Sequence, residues 1–160
     1  MTGDFLIFIV EDDNHLRQMI ADYFAHKFPD VTVTAFASGE EALPHMNEHP
    51  HVVFLDYYLN AHNAEALDGL SILSKIREKN KSIRVVLFSG QEDPVVAAAA
   101  MKMGAYDYIV KHPDSFDKVG DIVTHLKKHF VVDAPAFNKK LFIIVMIGVV
   151  LLGLLFWFKH

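Results

Sequence analysis

Glu11, Asp12 and Asp13 stand together in IVEDD, Asp56 closes HVVFLD, Ser89 ends IRVVLFS, and Lys111 follows YDYIV. Each comes directly after a short apolar run. Singly, each has an ordinary use: an acid after a strand caps the next helix, Ser-Gly makes a turn, and a lysine is solvated. Together they suggest chemistry. Three carboxylates converging on one point repel each other, and a bound divalent cation relieves that repulsion. All-oxygen ligands with room for water suit Mg²⁺. A metal ion and a lysine together neutralise the oxygens of a phosphoryl group in transfer. The Ser89 hydroxyl can hydrogen-bond that group, with Gly90 beside it leaving space. A carboxylate so placed can attack phosphorus and become an acyl phosphate, and Asp56, alone on its own strand, is the best candidate for that nucleophile.

The elements that must position these residues read clearly from the pattern. FLIFIV (5–10) and HVVFLD (51–56) are continuous apolar runs, as buried strands are; IRVVLFSG (83–90) and YDYIV (106–110) follow, and VTVTAF (31–36) alternates. Between them lie helical stripes at 14–28, from Ser38-Gly39-Glu40-Glu41 onward, and at 70–79, 94–103 and 115–130. Pro44 falls near the start of the second helix, where proline is tolerated. Gly104 is a good C-terminal cap for the fourth. Five alternations predict an α/β fold, a doubly wound five-stranded parallel sheet with helices on both faces. In such sheets, ligands bind at the carboxyl ends of the strands. All the residues above stand there.

Composition narrows the partners. Residues 1–138 hold 12 basic and 20 acidic side chains, a formal charge of −8. Such a domain is repelled by nucleic acid phosphates and by anionic lipid, so nucleic acid is not an expected partner. No cysteine is present, so disulfides and thiolate metal sites are excluded. The first 13 residues lack a cationic region and end in three acids, unlike a signal peptide. His45/His49 and His125/His129 are each spaced i, i+4, as two ligands on one helix face would be, but no third ligand is evident near either pair.

The end of the chain is of another kind. Leu141 to Phe158 is uncharged throughout, and eighteen residues at ~1.5 Å each reach about 27 Å, close to the thickness of a bilayer's hydrocarbon core. Lys139 and Lys140 precede it, and Trp157 lies between two phenylalanines near its far end. This predicts a single transmembrane helix over 141–158, joined by a linker at 132–140 to a globular domain at 1–131. The glycines Gly148 and Gly153 do not make a GxxxG pair.

IVEDD (9–13), FLDYYL (54–59), LFSGQ (87–91) and GAYDYIVKHP (104–113) resemble the receiver domain of two-component response regulators, of the stand-alone chemotaxis type. The resemblance covers about residues 4–131. It implies a flavodoxin-like strand order, 2-1-3-4-5. It implies Glu11 and Asp12 as the acidic pair around Mg²⁺, with Asp56 as metal ligand and phosphoacceptor and the Tyr58 carbonyl completing the metal's protein ligands. Ser89 becomes the switch hydroxyl, Lys111 the phosphoryl clamp and Tyr108 the aromatic that moves on activation. The expected partners are a sensor histidine kinase or phosphotransfer protein and a downstream protein target at or in the membrane. The chain would then be a phosphoacceptor switch at the cytoplasmic membrane rather than an enzyme, catalysing only its own phosphoryl gain and loss. With no sequence left for an output domain, output is expected to be protein–protein contact, or the chain has no output and acts as a phosphate sink. The alternative is a membrane-anchored adaptor that works without phosphorylation.

Two departures from the family pattern stand out. Asn60 occupies the usual proline position four after the phosphoacceptor. The Asp68-Gly69 pair comes late, with Gly69 thirteen after Asp56, so the loop is about five residues longer than usual. His112 separates Lys111 from Pro113, where the family often has a Lys-Pro junction.

Overall fold

The structure, a computed structural model, describes residues 5–59, 66–90 and 92–133. The expected linker at 132–140 begins inside the last helix, which runs through Val132 and Asp133; its remainder and the uncharged stretch 141–158 lie outside the described residues, as does the middle of the long loop after Asp56. Among the described residues, no helix is long and apolar enough to cross a membrane.

Five parallel strands, β1 (Phe5–Val10), β2 (Val31–Phe36), β3 (Val52–Leu55), β4 (Arg84–Ser89) and β5 (Asp107–Val110), form one sheet in the order β2-β1-β3-β4-β5. This is the expected order. The helices are α1 (Asn14–Lys27), α2 (Gly39–Ala42), α3 (Gly69–Lys79), α4 (Pro94–Lys102) and α5 (Ser115–Asp133). Every β3 side chain is buried, and so are nearly all those of β1 and β4, as helices on both faces require. β2 is one of the two edge strands and leaves Thr32 and Ala35 exposed.

The helices start where short polar side chains can take up free N–H groups. Asp13, Ser38, Asp68 and Asp93 cap α1 to α4, accepting from the N–H of Leu16, Glu41, Ser71 and both Val95 and Val96 respectively. Such a cap is worth about 1 kcal/mol over alanine. α3 buries Ile72, Leu73 and Ile76 against the sheet. Each such side chain contributes about 1.5–3 kcal/mol by leaving water.

The second helix differs from expectation. Its α-helical part ends at Ala42, and Leu43–Glu48 continues as a 3-10 helix with Pro44 in its first turn. Proline lacks the N–H that an α-helical bond to residue 40 would need, so the chain tightens instead. His45 and His49 therefore do not share an α-helical face. His45 Nδ1 lies 2.6 Å from Glu48 Oε1, and His49 ends the segment at φ 56°. Elsewhere the bounds shift by a few residues: β4 and β5 each start one later than read from the pattern, and α5 runs three further.

A candidate phosphoryl-acceptor site at the carboxyl ends of the strands

Strand register brings the charged residues together. Val10 pairs with Leu55, so the next residues, Glu11 and Asp56, are neighbours where β1 meets β3. Ser89 pairs with Val110, which puts Lys111 one residue past the β4–β5 ladder. The ladder carries on beyond the strands: Glu11 N–H donates to Phe36 O (3.1 Å), Asp56 N–H to Val10 O (2.9 Å) and Lys111 N–H to Ser89 O (2.7 Å). The backbones of all three chemical residues are thus held by sheet hydrogen bonds. The chain reverses its direction of winding between β1 and β3, the place where α/β sheets open a crevice.

Lys111 is the centre of the cluster. Its ammonium donates to Glu11 Oε2 at 2.6 Å and lies 2.9 Å from Asp56 Oδ1. Glu11 and Asp56 are buried, and Lys111 is mostly so. Burial, and then the charge of Asp56, push the Glu11 carboxyl up to about 7, with Lys111 pulling the other way. Removing water from a carboxylate favours its neutral form, and a second carboxylate beside it does the same. One cation does not fully offset two acids here.

Glu11, Asp12 and Asp56 each offer a carboxylate oxygen within 4.8 Å of the others. Among the described residues this is the one group of acids and histidines so arranged. Asp56 Oδ1 is buried and, although the ammonium is close, receives no directed hydrogen bond. A buried acceptor in that condition is unusual and calls for a partner. Three hard oxygen donors, one of them unsatisfied, fit a small divalent cation such as Mg²⁺. The third acid of IVEDD takes no part in this cluster. Asp13 is the cap of α1, held ionised below the usual carboxylate range mainly by the Leu16 N–H.

Ser89 is fully buried at the end of β4. Tyr108 lies on β5 opposite Leu87 and packs partly buried against the core. Tyr58 follows Asp56 by two, its ring edge-on to Tyr57 with centroids 4.5 Å apart.

Two further residues shape the same site. Arg17 Nη1 donates to the carbonyls of Glu11 (2.5 Å) and Asp12 (3.2 Å), and Nη2 donates to Asn14 Oδ1 (2.9 Å). It ties down the backbone that carries two of the acids. Its only signal in the sequence is a basic residue in the first turn of α1, where dipole arguments favour an acid. Gly69, the first residue of α3, is the second. A Cβ there would lie 2.5 Å from Asp56 O and 2.7 Å from Tyr57 Cα. Its N–H donates to Tyr57 O at 2.9 Å. The late Asp-Gly pair thus packs directly against the backbone of Asp56 and Tyr57.

Comparison with known proteins agrees with this geometry. The family model for the response regulator receiver domain matches residues 7–122. An NtrX-like response regulator of Rickettsia conorii is 34% identical over 119 residues, 74% of this chain and 24% of that protein. The DNA-binding transcriptional regulator NtrC of Salmonella typhimurium is 25% identical over 126 residues, 78% of this chain and 25% of that protein. This chain spans about a quarter of the length of either regulator. Among solved structures, the CheX–CheY–BeF3–Mg²⁺ complex from Borrelia burgdorferi matches with a TM-score of 0.65 and 28% identity, covering 76% of this chain and 88% of that one. The strand order, the acids at the ends of β1 and β3, and the match over most of its length agree: this chain belongs to the response regulator receiver domain family.

Proposed function

We propose that this chain accepts a phosphoryl group on Asp56 in a phosphorelay and works as a membrane-held switch. Receiver domains are signalling switches that bind Mg²⁺ at an acidic pocket and work with histidine kinases or phosphotransfer proteins. The observation that carries the reading here is the position of Lys111, bridging Glu11 at 2.6 Å and Asp56 at 2.9 Å. In the donor, phosphorus is bonded to an imidazole nitrogen. A carboxylate oxygen of Asp56 attacks phosphorus; the P–N bond breaks, and its electron pair returns to the imidazole, which takes up a proton. The product is an acyl phosphate.

The chain's own residues supply much of what this needs. Lys111 holds positive charge beside Asp56, where the oxygens of the arriving phosphoryl group must be neutralised. Arg17 holds the Glu11–Asp12 backbone. Ser89 offers a hydroxyl to the new phosphoryl group, and that capture biases Tyr108 and the surface around β5. Glu11, Asp12 and Asp56, with the Tyr58 carbonyl, would hold Mg²⁺. When bound, the metal offsets negative charge on the phosphoryl oxygens. The CheY complex bound to BeF3 and Mg²⁺ is consistent with such a pair of ligands in this fold.

Incubation with a small phosphodonor and Mg²⁺, followed by intact mass, tests the reading. Wild type gains one hydroxylamine-labile phosphoryl group and Asp56→Asn gains none. Equal behaviour of the two overturns the switch and favours an adaptor that needs no phosphorylation.

Residues 141–158 cross the bilayer once, with the receiver domain on the cytoplasmic side and the residues between Asp133 and Leu141 as the linker. The support is the run of eighteen uncharged residues and the lysines Lys139 and Lys140 before it. The phosphodonor is a sensor histidine kinase or phosphotransfer protein, and the output is contact with a protein target. The full chain should pellet with membranes after a high-salt wash, and a chain lacking residues 139–160 should not. Full-length protein in the washed supernatant sinks the anchoring.

A further inference from the structure

We infer that Ser115 is a positioning residue for Lys111, holding the turn that aims its ammonium at Asp56. This deepens the phosphoryl-acceptor reading and rests on it.

Lys111 lies one residue beyond β5, so the sheet fixes only its N-terminal side, through the N–H bond to Ser89 O at 2.7 Å. Its C-terminal side needs another anchor. No proline ring follows it directly, because His112 stands there and is exposed. The long side chain is mostly buried, but one of its flanks is not filled by protein. On one flank lie the two acids, while on the other the ammonium is 5.7 Å from the Phe88 ring. Lys111 and that ring both line an apolar hollow of about 340 Å³, with Leu16, Met19, Pro113 and Phe116 on its other walls. A flexible lysine with one open flank keeps its direction only if its backbone is held.

Ser115 supplies that hold. Its Oγ accepts from His112 N–H at 3.2 Å and donates to His112 O at 2.6 Å. Its own N–H also donates to His112 O, at 2.9 Å. One hydroxyl therefore grips His112 on both sides, and the peptide it grips through the N–H is the one that begins at the Lys111 carbonyl. Ser115 is 8% exposed although its neighbours His112, Pro113 and Asp114 are all exposed. A buried hydroxyl with both its roles spent on one residue is a fixed joint rather than a solvated cap.

The test is a double-mutant cycle on the full chain, reading the phosphorylation rate with a small phosphodonor and, separately, the apparent affinity for Mg²⁺. Ser115→Ala should slow phosphorylation about tenfold, the scale of a small misplacement of a reacting group. Mg²⁺ affinity should hold, because Lys111 is not a metal ligand. In a Lys111→Ala background the Ser115 change should add nothing. Should the alanine variant unfold at the assay temperature, Ser115→Thr and Ser115→Val give the same comparison. They share a shape and differ in the hydroxyl, so threonine should keep the rate and valine lose it. An equal slowing with and without Lys111, or a rate unchanged by Ser115→Ala, overturns the inference. If wild type takes up no more phosphoryl than Asp56→Asn, the functional reading itself has failed, and that outcome is separate.

Discussion

β1 and β3 run side by side, and their two ends handle polar groups in opposite ways. At the starting end, His51 accepts the Leu6 N–H at 3.0 Å on Nδ1 and stacks on Phe5 at 4.6 Å. Its backbone also bonds Leu6 O (2.9 Å) and Arg84 N–H (3.2 Å). Burial pushes its imidazole down, toward the neutral form that can accept. At the finishing end, Glu11 and Asp56 share one ammonium, and Asp56 Oδ1 has no directed hydrogen bond. One end is polar and satisfied. The other is polar and held short of partners, so that a ligand can complete it. The same two strands thus stabilise at one end and gather the candidate site at the other.

That contrast can be broken at several points. Lys111→Ala should have the largest effect, slowing phosphoryl uptake about 10²-fold, the scale of losing one group that stabilises developing charge. A rate within threefold of wild type would remove Lys111 from the chemistry. Gly69→Ala comes next. Its new methyl meets the Asp56 and Tyr57 backbone, which cannot swing aside, and overpacking of this kind costs about 1–3 kcal/mol. Urea unfolding and phosphorylation rate should both suffer, since the backbone displaced carries the acceptor.

His51→Ala is the matching change at the far end. Losing one hydrogen bond and one ring contact should cost about 1–2 kcal/mol, with the phosphorylation rate unaltered. A rate loss as large as that of Gly69→Ala would mean the two ends are not independent.

The smallest effect is a pH slope. Glu11 in the folded chain sits near 7, above its ordinary 4.5, so between these values the folded state holds a proton that the unfolded state has lost. Its contribution to stability therefore rises as pH falls from about 8 to 5 in Mg²⁺-free buffer. His51 has the opposite sign. Its folded form resists protonation, so stability is lost as pH drops below its ordinary 6.5. Urea midpoints across this range should fall more steeply with acid in Glu11→Gln than in wild type, and less steeply in His51→Ala. Parallel curves for the three proteins would remove both assignments.

Much of this was legible in the sequence. Apolar runs such as FLIFIV and HVVFLD could hardly be anything but buried strands, and the polar residues closing them had to stand at one edge of a parallel sheet. The caps Ser38 and Asp13 followed from local chemistry alone. What could not be read depends on distance through space. That Gly69 touches the Asp56 backbone follows only once α3 is docked. Arg17 reaches back to carbonyls, which have no sequence signature. The grip of Ser115 on His112 needs the turn already formed. Pro44 was legible as a residue, but whether it would start an α-helix or tighten it into a 3-10 helix was decided by its place in the second turn.

The Gly69 N–H bond to Tyr57 O has one more consequence. It brings the two ends of residues 58–68 together, so the chain leaves and rejoins the site at the same spot. Lengthening a closed excursion is cheap, about 0.6 kcal/mol for each doubling. Glu40 Oε1 accepts the Leu67 N–H at 2.9 Å and marks the point of return from the other side. Loop length here is therefore a free variable, separable from the position of the acceptor carboxylate. Relatives could differ widely in this segment, and so in what they present beside the site, without moving the atom that reacts.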